Sequence, residues 1–275
     1  MTILTRSRKT AEIIFGNNIG ICEWDYTKPA DNLIEVINGS EGVINLAGAS
    51  TAGKRWNEEY KKLIYNSRVI TTQKISEAIL QCSIKPEVMV SSSATGYYGL
   101  SGEDEITEDS PAGDDFLAKV CADWEEKAFQ SGLRTVVVRT GVVLDKEEGA
   151  LKKLLTPFKF FVGGHLGNGK QWFPWIHIDD LIELYIFALE NKGIIGAING
   201  TAPGLIRNKE FCKKLGKVMR RPVLFPVPGI ALKIAVGEFA NYLLTGRKIL
   251  QKKTLLNGFN FKFANIESAL KYLLK

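Results

Sequence analysis

Histidine and cysteine are scarce in this chain: two histidines, His165 and His177, and four cysteines, Cys22, Cys82, Cys121 and Cys212, none of them in a CxxC pair. That scarcity argues against a disulfide scaffold and against a zinc site, and scattered free thiols suit a reducing, cytoplasmic setting. Long apolar runs are lacking too. Met1 to Lys9 hold no stretch of signal-peptide length, and the apolar segment 223–244 is interrupted by Pro226, Pro228, Lys233 and Glu238, so neither a leader nor a membrane span is expected. There is no internal repeat and no low-complexity tract. What is present is a chain of 275 residues with 45% apolar content, enough to bury a full core as one large domain or a domain with a smaller lobe. The net charge of +6 invites an anionic partner, yet the lysines sit beside acids, as in Glu58-Glu59-Tyr60-Lys61-Lys62 and Asp145-Lys146-Glu147-Glu148. Such mixing describes a solvated surface, not a nucleic-acid face.

Short β-branched runs alternate with longer amphipathic ones, the pattern of strands feeding crossover helices in an α/β fold with a parallel sheet. The expected strands are Thr2 to Thr5, Ile19 to Glu23, Gly42 to Leu46, Glu87 to Ser92, Thr135 to Arg139 and Gly196 to Gly200. Val136-Val137-Val138 is apolar without interruption, as a strand buried on both faces requires. From Trp56 to Gln81 apolar residues recur at helical spacing without a proline, which predicts one long helix, followed by a second over Phe116 to Ser131. Residues 148–175 are rich in glycine and aromatics, a strand and helix return over 176–200, and 207–275 read as mainly helical with Asn208 and Asn265 as N-caps. The resulting division is a Rossmann-like part at 1–145 and 176–203, and a smaller, mainly helical lobe at 146–175 and 204–275.

One stretch spells a dinucleotide fingerprint, Thr95-Gly96-Tyr97-Tyr98-Gly99-Leu100-Ser101-Gly102, but the residues after it cannot open the helix that would receive a pyrophosphate. Glu103, Asp104, Glu105, Glu108 and Asp109 crowd that segment, and Pro111 closes it. Five carboxylates repel phosphate.

Four other segments carry more. Asn45-Leu46-Ala47-Gly48, Ser91-Ser92-Ser93-Ala94-Thr95-Gly96-Tyr97-Tyr98-Gly99, Arg139-Thr140-Gly141-Val142-Val143-Leu144 and Pro174-Trp175-Ile176-His177-Ile178-Asp179-Asp180-Leu181 stand in this order along the chain. Together they resemble the extended short-chain dehydrogenase/reductase superfamily. Lys54-Arg55-Trp56, Ser67-Arg68, the run Gly164 to Trp172, Asn199-Gly200-Thr201-Ala202-Pro203 and Gly258-Phe259-Asn260-Phe261 narrow the likeness to an atypical branch. That branch comprises NAD(P)-dependent epimerase-family proteins ending in a small helical domain, and the likeness runs from residue 1 to 275. It implies a Rossmann-like sheet, an NADP-class cofactor and a small-molecule pocket between sheet and lobe. Members of that family begin with a strand, a GxxGxxG loop and a helix, whereas this sequence starts at the second strand of that pattern. The expectation is a sheet without its first strand and glycine-rich loop, an N-terminally shortened form with impaired cofactor binding.

Thr5, Arg6 and Ser7 stand where a Rossmann domain chooses its cofactor, and an arginine there suits a 2′-phosphate, so NADP (NADPH) is expected over NAD; a basic solvated turn is the alternative. By the resemblance Leu46, Ala47 and Gly48 line the cofactor, Arg68 reaches a phosphate or ribose, and Val143 touches the nicotinamide end. Typical members use a tyrosine four residues before a lysine to exchange a proton. No Tyr-x-x-x-Lys occurs here: Asp115 precedes Lys119, and Phe116 precedes Val120. By the same resemblance Ser93 is the hydroxyl that polarises a substrate carbonyl, and Tyr97 and Tyr98 are candidate proton donors or, equally, packing groups. Trp172, Phe173 and Trp175 read as core more than as a substrate wall, His177 as structural, and Asp179 and Asp180 as caps of the following helix. No metal site is expected. Two functions stay open: NADP-dependent redox or epimerase chemistry on a small molecule, and a non-catalytic, nucleotide-sensing protein on the same fold. A homodimer is compatible with either, and neither nucleic acid nor a membrane is expected as a partner.

Overall fold

The computed structural model describes residues 1–16, 18–100 and 102–275. The strands are β1 (Thr2–Thr5), β2 (Gly20–Glu23), β3 (Gly42–Asn45), β4 (Val88–Ala94), β5 (Glu105–Ile106), β6 (Arg134–Thr140), β7 (Val142–Leu144), β8 (Trp175–His177), β9 (Gly196–Gly200) and β10 (Lys248–Ile249). Between them run helices α1 (Arg8–Phe15), α2 (Asp31–Ile37), α3 (Glu58–Asn66), α4 (Val69–Gln81), α5 (Phe116–Phe129), α6 (Gly149–Lys159) and α7 (Ile178–Glu190). The C-terminal part adds α8 (Asn208–Met219), α9 (Gly229–Val236), α10 (Ala240–Leu244), α11 (Lys252–Leu256) and α12 (Ile266–Leu273).

The six strands expected from sequence all form, and every pairing among them is parallel. They divide into a four-stranded sheet in the order β3-β4-β6-β9 and a separate pair, β1-β2. Among the described residues no strand lies between β1 and β3, so both present an open edge toward the place where the first strand was expected to be missing. Helix packing, not a backbone ladder, holds the pair on. Trp24, Leu33 and Ile37 join Ile75, Ala78 and Ile79 of α4 and Met89 and Val137 of the central strands in one apolar cluster.

Strand side chains alternate between faces, and both faces of β4 and β6 are covered. Met89 and Val137 meet α4, while Val88, Val90, Val136 and Val138 pack with Leu184, Tyr185 and Ala188 of α7. A third cluster builds the C-terminal lobe from Leu151, Leu155 and Phe158 of α6, Phe211 and Leu215 of α8, and Ile266, Leu270 and Leu273 of α12. Helix α6 was not foreseen. Its Pro157 sits inside the helix, and the glycines and aromatics around it mask the apolar stripe Leu151, Leu155, Phe158.

Three local expectations need correction. The predicted helix over Trp56 to Gln81 is two, α3 and α4, because the Ser67 hydroxyl turns back onto Ile64 O (3.2 Å) and also accepts the Ala49 N–H (2.9 Å). A serine side chain competing with the helical backbone in this way ends a helix. Asn208 is not a cap: Arg207 holds the cap position without a side-chain bond, and Asn208 instead accepts the Leu166 N–H at 2.9 Å. Asn265 does cap α12, through the Glu267 N–H. Nor do Asp179 and Asp180 cap α7. His177 Nδ1 accepts the Asp179 N–H at 3.0 Å, and buried Asp180 accepts the N–H groups of Lys262 and Phe263 at 2.8 and 3.0 Å, tying the C-terminal segment to the sheet.

Candidate active site

The carboxyl ends of β3, β4 and β6 open into a cavity of about 450 Å³. Its near wall is the loop after β3. Asn45 fixes that loop: its amide donates to Thr72 Oγ1 on α4 (2.7 Å) and Ser91 Oγ on β4 (3.2 Å), while its carbonyl oxygen accepts the Ala47 N–H (3.2 Å). The bond from Ala49 N–H to Ser67 pins the far end, so Leu46 to Gly48 lie against the junction of α3 and α4. Gly48 lets Arg68 approach closely, since a Cβ at this position would stand 3.0 Å from the Arg68 guanidinium carbon and the guanidinium would have to shift.

Of the residues named from sequence, Leu46, Gly48, Arg68, Ser93 and Val143 line this cavity. Ala47 stands between two of them but is not in the wall. Thr5, Arg6 and Ser7 are not brought to it. Ser7 caps α1 by accepting the Thr10 N–H, Thr5 Oγ1 accepts the Ser7 N–H, and Arg6 is exposed at the end of β1, beside the open edge.

Ser93 is committed in a way the sequence did not disclose. Its hydroxyl donates to Glu125 Oε1 at 2.5 Å, and Glu125 in turn receives Arg139 through both carboxylate oxygens at 2.9 and 2.8 Å. A carboxylate paired with a guanidinium accepts and does not donate, so the Ser93 proton points away from the cavity. Toward a ligand Ser93 therefore offers lone pairs. The carbonyl-polarising role implied by the resemblance needs the opposite orientation, and this network opposes it.

Tyr98 belongs to the same network and not to the cavity. It is 2% exposed, donates to Asn199 Oδ1 at 2.6 Å and accepts from Arg139 at 3.0 Å, and burial pushes its phenol up to about 12. Tyr97 lays its ring on the Arg139 guanidinium, 3.4 Å from centroid to Cζ. Neither lines the cavity, and both pack around a buried arginine, in keeping with the packing alternative for these tyrosines. The fingerprint-like stretch forms a 3₁₀ turn over Thr95–Tyr98, with Ser101 outside the described residues. Trp175 is buried with its N–H on Gly204 O, Phe173 packs on Phe211 and Trp172 stacks with Arg207, so these aromatics serve the lobe.

Two helix faces complete the wall. Helix α5 contributes Leu117, Val120, Cys121 and Trp124, one stripe at helical spacing. Asp115 caps that helix and accepts the Tyr242 hydroxyl, and Lys119 is exposed, so no lysine takes the place of the absent pair. Burial pushes the Cys121 thiol up to about 12. Helix α7 contributes Ile178, Leu181, Ile182 and Tyr185. The Tyr185 hydroxyl meets Ser92 Oγ at 2.5 Å with the Thr140 hydroxyl alongside, and burial raises its pKa, keeping the phenol protonated. This hydroxyl group was missed from sequence. Its one signal is that Tyr185 interrupts an otherwise apolar stripe of α7.

The residues from 1 to 199 match the model of the NAD dependent epimerase/dehydratase family, and 227–273 match a domain of unknown function, DUF1731. The chain is 41% identical over 281 residues to an epimerase family protein SDR39U1 homolog, chloroplastic, from Arabidopsis thaliana, covering 99% of this chain and 79% of the relative. It is 40% identical over 235 residues to the epimerase family protein YfhF of Bacillus subtilis, covering 84% and 77%. Among solved structures, human epimerase family protein SDR39U1 (isoform2) with NADPH superposes with a TM-score of 0.86 at 33% identity, covering 99% of both chains.

Proposed function

The chain belongs to the NAD dependent epimerase/dehydratase family, and we propose that it binds an NADP-class cofactor and carries out redox or epimerase chemistry on a small molecule in the cavity beside Ser93. The position of that cavity carries the reading: it lies outside the carboxyl ends of parallel strands, where α/β sheets receive their ligands. The human relative solved with NADPH matches this chain end to end and supports the nucleotide class. The residues fit a flat, anionic ligand, with Gly48 leaving space and Arg68 supplying charge. When bound, such a cofactor supplies a hydride. This chain would orient it with Leu46, Gly48 and Val143, and Tyr185, backed by Ser92 and Thr140, holds a proton at Oη for a reacting oxygen. Arg6, with Thr5 and Ser7, would meet a 2′-phosphate at the end of β1, which favours NADPH over NADH.

No glycine-rich loop fills the gap between β1 and β3 among the described residues, so the pyrophosphate has few backbone N–H groups to receive it. Titration of NADPH against intrinsic tryptophan fluorescence is expected to give a dissociation constant weaker than about 1 μM. Submicromolar binding would overturn that expectation, and equal affinity for NADH would remove the NADP preference. The second reading, a nucleotide sensor without turnover, is favoured by the apolar face that α5 turns to the cavity. NADPH oxidation against a panel of carbonyl compounds separates the two, with loss of turnover in Tyr185→Phe expected of the enzyme.

A further inference from the structure

Two segments of the C-terminal half hold no acidic residue: 149–178, with Lys152, Lys153, Lys159 and Lys170, and 211–237, with Lys213, Lys214, Lys217, Arg220, Arg221 and Lys233. Together they carry ten positive charges in a chain whose net charge is +6, so the remainder is net negative. The fold brings the two together. Val227 N–H donates to His165 O at 2.8 Å, Gly167 N–H donates to Val227 O at 2.9 Å, and a side chain at Gly164 would collide with the Phe225 carbonyl. Large apolar side chains stand out of the same surface. Phe160, Phe161 and Val162 after α6, and Leu224 and Phe225 on the adjoining segment, are each more than half exposed. The chain runs on into α9, none of whose residues is buried and whose exposed Ile230 and Ile234 share one face. Among the described residues, Phe161 and Arg220 are the two non-glycine residues with left-handed backbone, at φ 63° and 55°, and the Arg221 guanidinium lies 4.4 Å over the Phe161 ring. Such backbone is strained for a bulky residue, and strain of this kind clusters where a protein meets a ligand or partner.

We infer that this face docks on the surface of an anionic lipid bilayer, its exposed phenylalanines and isoleucines entering the acyl boundary and its cations lying among the headgroups. Apolar side chains rimmed by lysine and arginine are the composition that such an interface holds. Lys152, Lys214 and Lys217 are paired with Glu148, Glu210 and Glu267, whereas Lys159, Arg220, Arg221 and Lys233 form no ion pair among the described residues. Their charge is left for a headgroup. A second copy of this chain fits worse, because a two-fold contact would press these cations together. A protein strand fits worse too: Pro222, Pro226 and Pro228 have no N–H, and that of Val227 is spent on His165, whereas an acyl layer asks for no hydrogen bond. Among the described residues no helix is long and apolar enough to cross a membrane, so the contact is with its surface. This departs from the expectation of no membrane partner, which rested on long apolar runs being absent and on lysines beside acids. A surface contact needs no long run, and these two segments contain no acids.

The test is co-sedimentation of the full chain with vesicles of phosphatidylcholine alone and of phosphatidylcholine with about 30% phosphatidylserine. Binding is read at about 0.1 M and 0.5 M salt, with thermal unfolding to confirm that each variant is folded. Wild type should bind the anionic vesicles, bind the neutral ones far less, and bind less at the higher salt. Phe225→Ser with Ile230→Ser should weaken binding about 10-fold or more, the loss of buried apolar surface. Lys159→Glu with Lys233→Glu should weaken it at least about 10-fold. Lys62→Glu with Lys85→Glu, exposed lysines away from this face, should change it less than about threefold. Should the serine variant fail to fold, the two lysine pairs decide. Absence of binding to anionic vesicles overturns the inference, as does equal weakening by both lysine pairs, which is net charge alone, or unchanged binding in the folded serine variant. A dimer of wild type that the serine variant lacks gives the face to a second copy, and capture by polyglutamate but not by vesicles gives it to an acidic protein; either overturns the inference.

Discussion

Arg139, linked to Ser93 through Glu125, and Arg68, which lines the same cavity as Ser93, illustrate two uses of one side chain. Arg139 is 4% exposed and saturated: Glu125 takes it bidentately, Tyr98 and the Glu108 carbonyl accept from it, and Tyr97 covers its face. Arg68 is half-buried, shares a cavity wall with apolar groups and hydroxyls, and gives a single hydrogen bond to Ile64. The first arginine fixes structure, and the second keeps bonding capacity for something outside the chain. Saturation, more than charge, separates scaffold from site.

The contrast breaks most sharply at Glu125. Glu125→Leu leaves the buried Arg139 without its counter-charge and is expected to cost about 3–5 kcal/mol in urea unfolding. Adding Arg139→Met should recover much of the loss, because an apolar pair replaces an ion pair at little cost. Were Glu125→Leu as stable as wild type, the saturated network would not be the scaffold described. Tyr98→Phe comes next, at about 1–3 kcal/mol, since it strands Asn199 and one N–H of Arg139. A variant that kept its stability but lost NADPH-dependent turnover would return Tyr98 to the catalytic group.

His177 gives a smaller, pH-dependent effect. It is buried with Nε2 unpartnered among the described residues, its ring stacks on Phe263 at 3.8 Å, and Asp145, Asp179, Asp180 and Lys262 are the charged groups around it. Burial lowers its pKa below the ordinary 6.5, so the unfolded chain takes up a proton before the folded one does. Stability is therefore full above that pH and falls as the pH drops through it. Unfolding free energies between pH 7 and pH 5 should decline more steeply in wild type than in His177→Phe; parallel slopes would refute this. The least change is expected for Arg68→Leu, within about 0.5 kcal/mol of wild type by thermal unfolding, because no internal ion pair is broken. A loss comparable to that of Glu125→Leu would erase the distinction between the two arginines.

Much of the scaffold was legible because its causes are local. Val136-Val137-Val138 reads as a strand buried on both faces from composition alone, and it is one, flanked by β4 and β9. Asn45 to Gly48 taken alone read equally as an ordinary strand-to-loop turn, and only their order with the other family-like segments pointed to a ligand-side loop. Other features were not. The break at Ser67 depends on Ala49, eighteen residues earlier, and no helical periodicity registers that bond. Glu125 lies on α5 and Arg139 on β6, and although Arg139 opens one of the family-like segments, only the packing of that helix against the sheet makes them a pair.

The sequence by itself determined the alternation of strand and helix, the family and the loop after β3, since periodicity, turn chemistry and motif order are properties of neighbouring residues. Tertiary structure alone decided which way the Ser93 proton points, that Tyr98 is scaffold while Tyr185 faces the cavity, and that Arg68 has no acid beside it. Those outcomes rest on contacts between residues tens of positions apart, where burial and hydrogen-bond geometry, not residue type, assign the role.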